Sequence, residues 1–235
     1  MKLDRLLARH QHMGRSAAHR VLAQGRVSVD GTVTRDSHHE VSRFASVVLD
    51  GIELQHGIRL IYLMLHKPVG WLSATKDAQH PTVIDLIDDP DKESLHLAGR
   101  LDRSTSGLVL LTNDGRWSKR VMDAEHRVPK VYRVQTQQPI RVEDVQAFAR
   151  GFHFHTEDII TLPAKLEIIG EREALLTLHE GRYHQVKRMF HRVQNRVIAL
   201  HRESVGDLSL GDLAPGQWRA LTTAEVAGFA ATGCD

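Results

Sequence analysis

Asp102 is the residue whose setting most suggests chemistry. It lies in L-A-G-R-L-D-R-S-T-S-G-L-V-L-L-T-N-D-G, Leu97 to Gly115, after Gly99-Arg100-Leu101 and before the small polar run Ser104-Thr105-Ser106-Gly107. The apolar run Leu108 to Leu111, closed by Thr112-Asn113-Asp114-Gly115, predicts a buried strand ending in a turn. Asp102 is then a carboxylate in a loop presented by the edge of a core strand, and loops braced by rigid elements are where catalytic groups concentrate. On spacing alone the simpler roles, a turn former or a partner of Arg100 or Arg103, outweigh catalysis.

A second chemical feature is a run of cations. Arg182, Lys187, Arg188, Arg192, Arg196 and Arg202 follow one another with no acid among them, in a chain whose formal net charge is only +2. A basic stripe in a nearly neutral protein is the footprint of a polyanion site, because phosphate contacts supply most of the affinity for nucleic acid. A merely solvated helix usually mixes signs. The 16 histidines invite a metal, but no ligand set supports one. In His179-Glu180-Gly181-Arg182-Tyr183-His184 the second histidine comes one residue too late for the H-E-x-x-H zinc helix, and a glycine interrupts the turn. His10, His12, His38, His39, His153 and His155 lack partners of the right kind. The single cysteine, Cys234, excludes an internal disulfide framework and any cysteine-based cluster.

The elements that must position these residues follow from length and patterning. With 235 residues, 41% of them hydrophobic, the chain can bury a proper core as one large domain or as a small and a medium one. No apolar run is long enough to span a bilayer, and M-K-L-D-R-L-L-A-R-H is charged where a signal peptide is apolar, so a cytoplasmic protein without membrane contact is expected. Residues 1–58 read as a small unit: Leu3, Leu6 and Leu7 at helical spacing, a second helix over Ser16 to Gln24 ended by Gly25, then a hairpin turning at Asp30-Gly31 and a further V-V-L-D-G strand. A link from Glu53 to Arg59 leads to an apolar strand, Leu60 to Leu65, that opens a larger unit, residues 59–235. In it, helices are predicted over Trp117 to Met122, 142–151 and up to Val193. Strands are predicted over Arg127 to Thr136, Leu166 to Ile169 and Ala174 to Leu178, and Glu225 starts a short helical tail. Val186, Met189, Phe190 and Val193 form one apolar helix face and are core candidates.

The G-R-L-D-x-x-T-S-G-L run resembles the signature loop of RNA pseudouridine synthases of the RsuA and RluA superfamily. Further motifs agree with it: H-K-P-V-G at His66 to Gly70, Lys130-Val131-Tyr132 as the family's K-x-Y, and H-Q-V-K at His184 to Lys187. Where family members often carry a second aspartate, this chain has Ser104. The N-terminal unit is similar to a small alpha-L RNA-binding module first known from a ribosomal protein, through L-D-R-L-L-A, Arg15-Ser16 and Gly25 to Gly31. Within the superfamily the resemblance is nearest to enzymes of small-subunit ribosomal RNA, through T-S-G-L-V-L-L-T-N-D-G-R-W-S-K-R and D-L-A-P-G-Q-W-R-A-L-T.

The resemblance implies an α+β fold: a pseudouridine synthase domain with a mixed, mainly antiparallel sheet, preceded by the RNA-binding module. It implies that Asp102 is the catalytic residue, that Lys187 pairs with it, and that Tyr132 stacks on the target base. A positive neighbour favours the charged form of a carboxylate, which a nucleophile requires. It also implies RNA contacts from Arg5, Arg15, Arg20, Arg26, Lys67, Arg100, Lys130, Arg182 and Arg188. The reaction would isomerise a uridine of 16S rRNA, the uridine 516 type of activity, with no cofactor or metal. The partner would be ribosomal RNA, in a partly assembled small subunit, and the enzyme a monomer. The alternatives are the same chemistry on 23S rRNA or tRNA and, from another class, a non-catalytic RNA-binding ribosome assembly factor. A glycoside hydrolase is disfavoured because Asp102 has no evident second carboxylate.

Overall fold

The structure, a computed structural model, describes residues 1–10, 13–123 and 126–229; His12 and Cys234 lie outside them. The chain divides into two compact units, Met1–Leu60 and Ile61–Asp235. The strand expected from Leu60 starts only at Tyr62, and Leu60 itself is exposed.

In the first unit, α1 (Leu3–His10) and α2 (Arg15–Ala23) precede β1 (Val27–Val29), β2 (Thr32–Val33), β3 (Val47–Leu49) and β4 (Ile52–Gln55), paired in the order β2-β1-β3-β4. The helical spacing of Leu3, Leu6 and Leu7 puts all three on the face that meets Ala18, Leu22, Val27 and Val47, and each is fully buried. Both hairpins turn on an Asp-Gly pair with positive φ at each residue, 50° and 78° at Asp30-Gly31 and 52° and 82° at Asp50-Gly51. That is the twist a two-residue turn needs to match paired strands. β4 claims the start of the expected Glu53–Arg59 link, because pairing with β3 satisfies its backbone.

The second unit runs β5 (Tyr62–Lys67), β6 (His96–Leu97), β7 (Ser106–Thr112), α3 (Gly115–Met122), β8 (Lys130–Thr136), α4 (Val142–Arg150), β9 (His153–Phe154), β10 (Ile159–Ile160), β11 (Lys165–Gly170), β12 (Glu173–Leu178), α5 (Gln185–Arg192), β13 (Val197–Val205), β14 (Leu208–Ser209), β15 (Trp218–Ala220) and α6 (Thr223–Gly228). Its main sheet is ordered β11-β12-β8-β13-β7-β5-β15, with β14 on β13 and β6 on β7. Among its described strands only β13 and β7 pair in parallel, so the sheet is mixed and mainly antiparallel, as expected. Alternation splits the buried strands between two faces: Leu63, Leu65, Val109 and Leu111 join a core with Phe148 and Phe190, while Met64, Leu108 and Leu110 join one with Trp117 and Phe229. Residues 80–87, H-P-T-V-I-D-L-I, carry a 3-10 turn, Val83–Leu86, started by a reciprocal Thr82 and Asp85 cap. The two-residue strands β6, β9 and β10 were not expected, since so short a run carries no period.

Candidate active site

The position of Asp102 follows from how β7 is paired. Along its C-terminal half β7 is flanked by β6, with His96 opposite Thr112 and Leu97 opposite Leu111. At its start the same edge passes to β13, with Ser106 beside His201 and Gly107 beside Arg202. Residues 99–105 must therefore leave the ladder where β13 enters it, and Asp102 lies in the loop so formed. Gly107 makes that handover possible. Its φ is 116°, and a Cβ there would stand 2.3 Å from the Arg202 carbonyl oxygen, far inside ordinary contact.

The loop backbone is pinned from several sides. Ser73 Oγ donates to the Leu101 carbonyl at 2.8 Å and accepts from the Leu101 amide at 3.0 Å. The Gly70 amide donates to the Arg103 carbonyl at 2.8 Å, and Arg103 Nε returns a bond to the Gly70 carbonyl at 3.0 Å. Lys67, at the end of β5, donates from Nζ to the carbonyls of Thr105 at 2.6 Å and Asp102 at 3.1 Å. The H-K-P-V-G segment thus serves as the brace of the Asp102 loop.

The second component comes from the turn before α5. Glu180 is buried, and its carboxylate accepts from the Leu162 amide, from Gln185 Nε2 and from Arg182 Nε at 2.8, 2.8 and 2.9 Å. Gln185 Oε1 in turn accepts from the Arg182 amide at 3.0 Å. These bonds hold E-G-R-Y-H-Q as a braced corner, and His184 takes a left-handed backbone, φ 49°, where the helix starts. Val186, Met189 and Phe190 seat the helix in the core. Lys187, on the first turn, then reaches Asp102: its Nζ lies 2.7 Å from Oδ2 and 2.9 Å from Ser104 Oγ. His184 Nε2 stands 3.4 Å from the other carboxylate oxygen. Tyr132, on β8, is 8% exposed and belongs to the core, yet it lines one pocket with Arg100, Asp102, Thr105, His184 and Lys187.

Asp102, Lys187 and Tyr132 are thus brought together from a loop, a helix and a strand far apart in sequence. His184 is a site residue that the sequence reading missed. Its signal is the H-Q-V-K motif itself, which the mismatch with zinc spacing does not touch. Among the described residues no group of three or more His, Cys, Asp or Glu side chains is placed to hold a metal ion. His179 points its Nδ1 at the Arg127 carbonyl instead, at 2.8 Å.

The expected RNA contacts differ in burial and pairing. Lys67 is fully buried and Lys130 nearly so, with Lys130 Nζ donating to the Val128 carbonyl at 2.9 Å. Neither ammonium faces solvent, and burial pushes both down to about 8; for Lys67 the Asp102 charge opposes that shift and the Arg202 and Lys187 charges add to it. Arg26 is tied to Asp50 across two strands, with Nε at 2.9 Å from Oδ1. Arg188 holds Glu157 through both terminal nitrogens, at 2.8 and 2.6 Å. Arg182 meets Glu180 of its own turn, while Lys187 and Arg188 receive their acids, Asp102 and Glu157, from other elements. The last member of the basic stripe, Arg202, is 3% exposed and donates from Nε to the Leu108 carbonyl at 2.7 Å. Arg5, Arg15, Arg20 and Arg100 are exposed.

Residues 61–192 match the family described as RNA pseudouridylate synthase. The chain is 53% identical over 227 residues to the ribosomal small subunit pseudouridine synthase A of Pseudomonas aeruginosa, covering 96% of this chain and 99% of that one. It is 44% identical over 230 residues to the protein of that name from Escherichia coli (strain K12), covering 97% and 99%. Among solved structures, a crystal structure of a pseudouridylate synthase superposes with a TM-score of 0.71 at 36% identity, over 97% of this chain and 99% of the other. The Asp102 loop, Tyr132 and Lys187 all fall inside the matched span. The chain therefore belongs to the RNA pseudouridylate synthase family and is an RNA pseudouridine synthase.

Proposed function

We propose that the chain converts a uridine of 16S small-subunit ribosomal RNA, of the uridine 516 type, to pseudouridine with Asp102 as the catalytic residue. The observation that carries this is the Asp102 carboxylate, held on a loop braced by Lys67 and Ser73, 2.7 Å from Lys187 and in one pocket with Tyr132. The names of the relatives, which run the length of the chain, support the small-subunit substrate. The N1 to C1′ glycosidic bond breaks, the detached uracil turns, and C5 bonds to C1′; C5 loses a proton and N1 gains one, so the atoms balance. Asp102 attacks C1′ or assists departure of the base, and Lys187 orients its Oδ2. Tyr132 offers a ring to the base while it is held, replacing stacking lost on flipping.

Flipping costs on the order of a few kcal/mol, which backbone contacts must offset. Exposed Arg100 is the candidate to grip the flipped nucleotide's phosphate or fill its vacated place. In the first unit, residues expected to act as the RNA-binding module, exposed Arg5, Arg15 and Arg20 are the candidate phosphate contacts. The enzyme is taken to act in the cytoplasm, as a monomer, on a partly assembled small subunit.

The test is pseudouridine mapping, by carbodiimide modification and primer extension, on small- and large-subunit rRNA and tRNA treated with wild-type protein or Asp102→Ala. A new stop in small-subunit rRNA that vanishes with Asp102→Ala is the expected result. A stop confined to large-subunit rRNA or tRNA would replace the substrate and keep the chemistry. RNA binding without a stop anywhere would favour an assembly factor.

A further inference from the structure

Beside the Asp102 pocket, the turn before α5 carries two rings to which the reaction assigns no task. The rings of Tyr183 and His184 stack with centroids 3.9 Å apart and planes 17° from parallel. His184 reaches the Asp102 carboxylate with Nε2 at 3.4 Å, whereas Tyr183 is 75% exposed. One ring thus meets the carboxylate at its edge, and the next ring outward offers a face to solvent. The geometry is built into the backbone: the left-handed φ of His184 sets the two rings side by side, and Arg188 Nη1 donates to the Tyr183 carbonyl at 3.3 Å.

An exposed aromatic face is apolar surface left in water, and covering it is favourable. What covers it is indicated by its neighbours. Arg182, Lys187 and Arg188 flank the pair along the chain, each also bonded to an acid, Glu180, Asp102 and Glu157 respectively, so a phosphate beside the exposed face would share these cations with those carboxylates. That combination fits a nucleobase attached to its phosphate, since unpaired bases stack on aromatic rings while phosphates take the positive groups. A flipped uridine also leaves its strand neighbours without a stacking partner.

We propose that Tyr183, backed by His184, is a stacking platform for an unpaired nucleobase that neighbours the uridine held at Asp102. The inference rests on the RNA substrate assigned above and adds a subsite to it. The two ring layers place that base outside the reacting pocket, so Tyr183 contributes to binding and to the choice of sequence around the target.

The test compares the full chain with Tyr183→Phe, Tyr183→Leu and Tyr183→Ala, measuring Kd for small-subunit rRNA fragments together with KM and kcat for pseudouridine formation. Tyr183→Phe keeps the π face and is expected to retain the affinity. Tyr183→Leu, which has bulk without a π face, and Tyr183→Ala should each raise Kd and KM about tenfold, the loss of one base stack, with the effect on KM rather than kcat. Kd values equal to wild type in all three variants would overturn the platform. So would a fall in kcat at unchanged Kd, which would mean that Tyr183 acts on Asp102 through His184. If wild-type protein binds RNA but forms no pseudouridine, the assigned reaction fails while the Kd ratios still decide the platform. If it binds no RNA, both fall.

Discussion

At the scale of single residues, the unit that carries Asp102 buries two lysines, Lys67 and Lys130. Lys67 uses its ammonium to gather carbonyls of the Asp102 loop, whereas Lys130 meets one carbonyl beside Arg202. Their depressed values, about 8 against 10.5 for an unfolded lysine, set a pH dependence with a definite sign. Below about pH 8 both states are protonated and the cost of burying the charge is fully present. Between about pH 8 and 10 the unfolded chain binds more protons than the folded one, so stability rises with pH, by up to about 1.4 kcal/mol per pH unit for each lysine. Tyr62 acts oppositely at higher pH: burial raises it to about 12, so the unfolded phenol ionises first. Urea midpoints should therefore climb from about pH 8 to 9.5, and Lys130→Met should flatten the climb. A level wild-type profile over that window would contradict this account of both lysines.

At the scale of elements, the Asp102 loop depends on the seam where β13 meets β7 in parallel. The seam opens the β6 to β7 connection and so creates the Asp102 loop, and it exists because Gly107 lets the two backbones touch. Gly107→Ala places a methyl group against the Arg202 backbone and strains a φ of 116°. Overpacking and left-handed strain together should cost about 2 to 5 kcal/mol, lowering the thermal midpoint and the activity together. A Gly107→Ala protein with wild-type midpoint would mean that the seam is looser than the geometry implies. α5 depends on a different support. Its first turn is aimed by buried Glu180 and Gln185, two polar residues that hydrophobic patterning does not reveal, because they sit at a corner and not on an apolar face.

At the scale of the whole molecule, each unit contains its own apolar cluster, one built from Leu3, Leu22 and Val47 and the others from β5, β7 and the helices of residues 61–235. Removing residues 1–60 should leave the larger unit folded, with a cooperative thermal transition. If Arg5, Arg15 and Arg20 bind phosphates, the truncated protein should also show a shallower dependence of RNA affinity on salt, by about 0.7 to 0.9 in the log–log slope for each phosphate no longer neutralised. An unchanged slope would remove the first unit from the RNA interface.

Sequence by itself determined what is local. The periodicity of Leu3, Leu6 and Leu7, the two Asp-Gly turns and the alternating strands specified most elements, because side-chain spacing and turn stereochemistry act within a few residues. The long motifs, with nothing else, pointed to the Asp102 loop. Only the tertiary structure decided which charges face solvent. Lys67 and Lys130 read as surface cations and prove to be interior ones, and the basic run from Arg182 to Arg202 meets Glu157 and Asp102 only after folding. It also decided that His184 joins Asp102 and that β13 enters beside β7. Such facts depend on packing between residues tens of positions apart, and the side-chain type alone does not encode the burial or the partner that such packing supplies.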